Sequence, residues 1–523
     1  MSSKLATIVI PVYNGSNYMR AAIDSALAQT WANTEVIVVN DGSIDGGETD
    51  RIARSYGSKI VYISKLNGGV ASALNAGIAV MKGDVFCWLS HDDRHLPNKT
   101  ERQMAEWGER AYSDVVLFSD YRLIDANGDK ITDVALDHAL LTSKPLYPLL
   151  RGSIHGCSIF IPKKIINDIG VFDVTLPTTQ DYDLWHRMIQ RYRFHHMAEV
   201  LIESRWHDEQ TSKKIDHIVE ATEFWKRAIS VVAHKDRVLA EGSSVRFLNE
   251  MSIFLNKNGL SKAASSISAA ALEELSRTKV SIVIPVFNRM ELAISAVESA
   301  ARQTHTLTEI IVVDDGSTEP FDALRQKVEL VGGRFMRQEN QGPAAARNTG
   351  WRSATGEYVA FLDSDDLFAP EKISIQLRAM AEAGAAFSHT SYFRHWFNRV
   401  DFTYIASGAA NAYPSIIGGC GIATPTVMVR RDLIDDGFEF PTEFKVGEDI
   451  VLWLRIAARF GVLGCDRGLT IVRVDDNSAA HNLSKQKAGI DNVLSAIRDD
   501  PKLMSHKGEY TRLVQLRTSL GVM

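Results

Sequence analysis

A near-constant offset ties the two halves of this 523-residue chain together. Ile8-Val9-Ile10-Pro11-Val12 recurs as Ile282-Val283-Ile284-Pro285-Val286, and Val38-Val39-Asn40-Asp41-Gly42-Ser43 recurs as Val312-Val313-Asp314-Asp315-Gly316-Ser317. Asn67-Gly68-Gly69 with Asn75-Ala76-Gly77 matches Asn340-Gln341-Gly342 with Asn348-Thr349-Gly350. Trp88-Leu89-Ser90-His91-Asp92-Asp93 matches Phe361-Leu362-Asp363-Ser364-Asp365-Asp366. The offset is 274 at Pro11 and Asp41 and 273 at Asp92. Four blocks in one order at one spacing mean that the chain is two copies of a single domain.

Within each copy, apolar strands alternate with helical stretches. An apolar strand leads to a turn at Asn14-Gly15 or Asn288-Arg289 and then to an alanine-rich helix, and a second strand ends in the Asp-Gly-Ser turn. That alternation predicts βαβ units, a mostly parallel sheet and right-handed crossovers. Tyr358 to Leu362 reads as a buried parallel strand that ends in Asp363, Asp365 and Asp366. Carboxylates this close repel one another unless a cation sits among them, and oxygen ligands suit Mg²⁺ or Mn²⁺. The strand tips of open α/β sheets are also where ligands bind. The plainer alternative is a set of acidic caps for the helix after Pro370. No GxGxxG follows either first strand and no Walker A sequence occurs, so neither a dehydrogenase-type dinucleotide fold nor a P-loop NTPase is expected.

A net charge of -6 and a pI near 6.2 provide no global basic field for nucleic acid. The four cysteines, Cys87, Cys157, Cys420 and Cys465, form neither a CxxC pair nor a disulfide ladder. Their scatter fits a reducing compartment and argues against a zinc site. Met1-Ser2-Ser3-Lys4-Leu5 runs straight into the first strand, leaving no room for a signal peptide, and no apolar run is long enough to span a bilayer. A cytoplasmic protein is expected, one that reaches any lipid substrate from the inner face of the membrane. The expected order is an α/β domain over 1–212, a helical connector over 213–278, a second α/β domain over 279–481 and a helical tail over 482–523. Lys502, Lys507 and Arg512 make the tail mildly basic. Such a face is either solvated or in contact with a membrane surface.

Taken together, IVIPVYN, VVNDGS or VVDDGS, NQGPAAARNTG and FLDSDD resemble the family 2 inverting glycosyltransferases of the GT-A fold. The resemblance covers both copies and implies two tandem GT-A domains, Rossmann-like with a mostly parallel sheet. It implies that Asp314 and Asp315 contact the nucleobase and ribose of a nucleotide-sugar, with Pro285 and Asn340 in the same pocket. Arg347 falls at the position near the diphosphate, where a guanidinium fork suits phosphate oxygens. Asp363 and Asp365 match the metal-binding DXD pair, which would bridge Mn²⁺ or Mg²⁺ to the diphosphate. The first-copy counterparts are Pro11, Asn40, Asp41 and Asn67 for the nucleotide-sugar and Asp92 for the metal. His207, in a segment resembling one that closes over the diphosphate, is a candidate phosphate or metal contact or an ordinary surface histidine.

The resemblance also places a general base at an acidic helix start. Gly447-Glu448-Asp449 precedes Ile450-Val451-Leu452-Trp453, and Thr179-Gln180-Asp181 precedes Tyr182-Asp183-Leu184-Trp185. Asp449 and Asp181 are the expected bases; the alternative is acids favoured by the helix dipole. Gly418 to Gly421 and Arg151 to Gly156 fall in the acceptor-side halves. In the first copy Asn40 replaces Asp314, Leu74 replaces Arg347 and Ser90 replaces Asp363. Three readings follow for it: active with a different donor, active with the diphosphate held by other groups, or retired and binding the growing glycan. The implied activity is transfer from nucleotide-sugars, UDP-sugars by family habit, to an oligosaccharide or lipid-linked glycan of a surface polysaccharide such as capsule or O-antigen. A non-catalytic sugar-binding protein is the rival from another class.

Overall fold

The computed structural model describes residues 4–206, 215–396, 400–403, 413–474 and 483–520. Two compact units emerge, and each contains one copy of the repeat. The stretch read as a connector is helical: Ile215–Ser230, His234–Glu241, Ser244–Lys257 and Ser261–Arg277. It is shared out, with residues 251–267 packing in the first unit and 233–250 in the second. Among the described residues, no helix is long and apolar enough to cross a membrane.

In the first unit, strands Ala6–Val12, Thr34–Asp41, Val61–Lys65 and Val85–Trp88 pair in parallel, and Ile161–Pro162 joins the edge antiparallel to Val85–Trp88. In the second unit, Val280–Val286, Thr308–Asp314, Arg334–Arg337 and Tyr358–Phe361 repeat the parallel set, with Met428–Arg430 antiparallel at the same place. Even the register repeats: Pro11 faces Val39 across the ladder, and Pro285 faces Val313. The central strands Ala6–Val12 and Val280–Val286 are buried along their whole length because helices cover both faces of the sheet. The later half of each copy is less regular, since its sheet mixes directions. In the second unit it continues the main sheet to nine strands; in the first it forms a separate four-stranded sheet.

Two devices aim the strand tips. Asn14 and Asn288 take positive φ values of 50° and 55°, which asparagine tolerates. Each Asn side-chain oxygen then accepts a backbone N–H just beyond the Asp-Gly-Ser turn, from Ile44 at 2.8 Å or Thr318 at 3.0 Å. Gly42 and Gly316 turn with φ of 71° and 75°, and a Cβ on either would lie 2.5 or 2.7 Å from the backbone nitrogen of Asn67 or Asn340. Below the acidic tips lies a cluster of edge-to-face aromatic contacts. Phe440 meets Phe361 and Trp453 at 5.1 and 5.4 Å between ring centres; Phe172 meets Trp88 and Trp185 at 6.1 and 6.0 Å. This contact explains the Leu-Trp pair that both copies keep after the candidate base. The tryptophan fixes the helix of the candidate base against the strand that carries the acids.

Candidate active site

In the second copy, Pro285, Asp315, Asn340, Arg347, Asp363 and Asp365 line one cavity of about 430 Å³, together with Arg289 and Ser364. Asp314 lies behind it, fully buried, ion-paired to Arg337 and accepting the Ser317 N–H at 3.1 Å. Asp315 is engaged by the loop that follows it in space. Its carboxylate accepts N–H groups from Gln341 at 3.0 Å and Gly342 at 2.8 Å and the Gln338 amide at 2.8 Å. It thereby orders the start of helix Pro343–Ser353, which carries Arg347.

Arg347 is 7 % exposed and bridges two acids, donating to Asp363 at 2.7 Å and to Glu448 at 3.1 Å. The surrounding carboxylates, Asp363 first, hold its guanidinium charged despite burial. Asp365 is ion-paired to Arg289. Asp366, behind them, accepts the Arg473 N–H at 2.8 Å. Burial, and then the charges of Asp363 and Asp365, push its carboxyl well above the usual range. Asp363 and Asp365 both line the cavity and offer oxygen donors, which suit a hard divalent cation. Asp363 and Asp365 are the residues that would hold it. Asp449 opens helix Glu448–Phe460, with one oxygen accepting the Ile450 N–H at 2.8 Å and the other the Thr424 hydroxyl at 2.8 Å.

In the first copy, Pro11, Asp41, Asn67, Ser90, His91 and Asp92 line a cavity of about 650 Å³ that also reaches Gln180 and His217. Asn40 lies behind it, accepting the Ser43 N–H at 3.0 Å and donating to the Tyr62 hydroxyl at 3.1 Å. Asp41 repeats the role of Asp315: it accepts N–H groups from Gly68 and Gly69, the latter at 2.7 Å, and pairs with Lys65 at 2.6 Å. Asp93 is the counterpart of Asp366, and burial beside Asp92 raises its carboxyl to about 7. Asp181 opens helix Gln180–Ile189, and burial raises it to about 6. Just before it, Thr178 and Thr179 donate backbone N–H groups to Glu220 at 3.1 and 2.7 Å. A helix of the supposed connector therefore fixes the helix that Asp181 opens. His207 lies outside the described residues.

Sequence reasoning missed Glu448, Arg289, Gln338 and Lys65 as neighbours of the acids. One signal for Glu448 was present: Arg347 and Glu448 in one copy stand as Leu74 and Gln180 in the other, a paired loss of opposite charges.

Comparison with known proteins identifies the family. The model of the Glycosyl transferase family 2 matches residues 7–166 and 281–426, one region in each copy. An uncharacterized glycosyltransferase of Rickettsia felis is 44% identical over 510 residues, covering 95% of this chain and 84% of its own length. The Escherichia coli UDP-Glc:alpha-D-GlcNAc-diphosphoundecaprenol beta-1,3-glucosyltransferase WfaP is 33% identical over 228 residues, 42% of this chain and 86% of that protein. A solved structure of S. aureus TarS 1-349 with UDP-GlcNAc is similar at 19% identity and a TM-score of 0.40, over 52% of this chain and 81% of that one. Two family matches on one duplicated chain, and a relative alike along nearly all of it, leave one conclusion: the chain belongs to glycosyl transferase family 2 and is a glycosyltransferase carrying the family domain twice.

Proposed function

We propose that both copies transfer sugar from a nucleotide-sugar, UDP-linked in the main reading, to a growing surface glycan held on an oligosaccharide or lipid carrier. Capsule and O-antigen are the products in view, assembled at the inner face of the cell membrane. One observation supports the two-site reading: in each copy the residue before a helix-start carboxylate reaches the strand-tip cavity, Glu448 through its bond to the lining residue Arg347 and Gln180 as a lining residue itself, with Asp449 or Asp181 next in the chain. The named lipid-linked acceptor of the Escherichia coli relative supports the carrier, since that similarity spans most of its length.

In the second site, Asp449 takes the proton of the acceptor hydroxyl. The freed oxygen bonds to the anomeric carbon from the face opposite the diphosphate, and the carbon–oxygen bond to the diphosphate breaks with its electron pair on the leaving group. That geometry inverts the sugar. A bound Mn²⁺ or Mg²⁺ would neutralise charge developing on the diphosphate. Arg347 adds a fixed guanidinium in a water-poor site. The first site follows the same course with Asp181, and Lys65 is the cation nearest its Asp41.

A second reading has only the second copy catalytic, and the neutral set Leu74, Ser90 and Gln180 favours it. Incubation with acceptor and nucleotide-sugars singly and in pairs separates the two. Extension that needs two donors, lost in both Asp181→Asn and Asp449→Asn, supports two sites. Loss in Asp449→Asn alone supports one.

A further inference from the structure

Among the described residues, the first copy holds a cluster that has no counterpart in the second. Cys157 lies in the short turn Gly156–Ser158 and His155 just before it; the turn leads into the strand antiparallel to Val85–Trp88. The equivalent turn of the second copy, Thr424–Thr426, has Ala423 and Pro425 at those two places. The Cys157 sulfur sits 3.1 Å from Asp93 Oδ2 and accepts the Ser90 N–H at 3.2 Å. Ser90 is the position where the second copy carries Asp363, so a sulfur stands beside the place of the missing carboxylate. Donor atoms of Asp93, His155 and Cys157 all lie within 4.8 Å of one another. The imidazole is held in place: Nδ1 accepts the Cys157 N–H at 3.2 Å, Nε2 lies 3.0 Å from Ser204 Oγ, and the ring packs on Tyr121 at 4.9 Å, so that binding a metal exchanges the bond at Nδ1 for the ion while Nε2 keeps its proton towards Ser204.

We propose that Asp93, His155 and Cys157 form a binding site for a borderline-soft divalent cation of the Zn²⁺ type. Thiolate and imidazole donors select such an ion over Mg²⁺ or Mn²⁺, which prefer the all-oxygen set of the second copy. Three protein donors leave a coordination position for water or for an oxygen of a bound ligand. On binding, the thiol gives up its proton to solvent and the sulfur and carboxylate turn from each other to the metal. Cysteine spacing argued against zinc because the set has no CxxC; the fold supplies the third donor from the acidic strand tip instead. The two copies therefore take different ions. The site stands on its own geometry and does not require the first copy to be catalytically active.

The test uses the full chain, stripped of metal with a chelator and titrated with Co²⁺ as the spectroscopic stand-in for Zn²⁺. A thiolate-to-cobalt charge-transfer band in the near ultraviolet, abolished by added Zn²⁺, is the expected result. Cys157→Ser removes the band, His155→Ala weakens Co²⁺ binding by about tenfold or more, and Cys420→Ser and Cys465→Ser leave it intact. Far-ultraviolet circular dichroism checks that each variant folds. If Cys157→Ser does not, the loss of affinity in His155→Ala decides the matter. Absence of the band in the parent chain, its persistence in Cys157→Ser, or unchanged affinity in His155→Ala overturns the proposal.

Discussion

The guanidinium of Arg347 donates to Glu448 at 3.1 Å, and in the first copy these two positions hold Leu74 and Gln180. The third member changes with them, since Asp363, which accepts from the same guanidinium at 2.7 Å, stands as Ser90. A buried charge left without its partner is costly, whereas a whole charged set can be exchanged for a neutral one. These three departures are therefore one coordinated exchange rather than three separate losses.

That exchange sets the first prediction. Arg347→Leu alone takes the shared partner from the buried Glu448 and the half-buried Asp363 and should destabilise the second unit by about 1–3 kcal/mol. Combining it with Asp363→Ser and Glu448→Gln should recover most of the loss. Chemical denaturation followed by a probe in the second unit checks this. A triple variant no more stable than the single one would sink it.

The Asn-Ala-Gly and Asn-Thr-Gly blocks make a second prediction. Asn348 Nδ2 donates to the Phe440 carbonyl at 2.8 Å, and its Oδ1 accepts the Phe440 N–H at 2.9 Å. Asn75 clasps the Phe172 backbone in the same way, at 2.8 and 3.0 Å. Two buried backbone groups lose their partners in Asn348→Ala, which should cost about 2–4 kcal/mol. Asn348→Asp keeps only the acceptor and should fall between the parent and the alanine variant. Thermal unfolding of the three proteins gives the order.

Metal dependence at the second site is the third. Asp365→Asn removes one oxygen donor and the charge that pairs with Arg289. Mn²⁺ affinity, read by isothermal titration in the presence of UDP, should fall sharply, and transfer should slow by about 100-fold. Chelator should abolish transfer by the parent second site and excess Mn²⁺ should restore it. Transfer that survives chelation would refute the metal assignment.

The parallel sheet and the strand-tip location of the acids were legible because apolar periodicity and duplication depend only on local sequence. The partners of those acids were not. Asp315 read as a nucleotide contact, yet its carboxylate orders the loop at Gln341 and Gly342, a role visible only once two distant segments meet. Glu220 was hidden for a similar reason, because it belongs to a helix read as a connector and reaches back to Thr179. The metal-type cluster at Cys157 escaped because its donors come from two segments and no spacing rule joins them. Side chains that act within one element announce themselves in sequence; those that join elements wait for the fold.

The final prediction concerns Asp181 and pH. Burial raises its carboxyl from 3.8 to about 6, although the group is only partly covered. The folded protein thus binds this proton more tightly than the unfolded chain does. The resulting stability is fully present below about 3.8 and is lost as pH rises through about 6; above that, the desolvated carboxylate is a net cost. The role of base proposed for it has the opposite sign, because only the ionised form accepts a proton. First-site transfer should therefore fall about tenfold for each pH unit below about 6. Asp181→Asn should abolish that transfer at every pH. At about pH 8 it should also stabilise the first unit by about 1–2 kcal/mol, and near pH 4 it should leave stability unchanged. Denaturation at the two pH values, beside a pH–rate profile with the second site silenced by Asp449→Asn, measures both effects. A profile flat across pH 6, or an Asn variant no more stable at high pH, would show that the Asp181 carboxylate is not held in the buried state described.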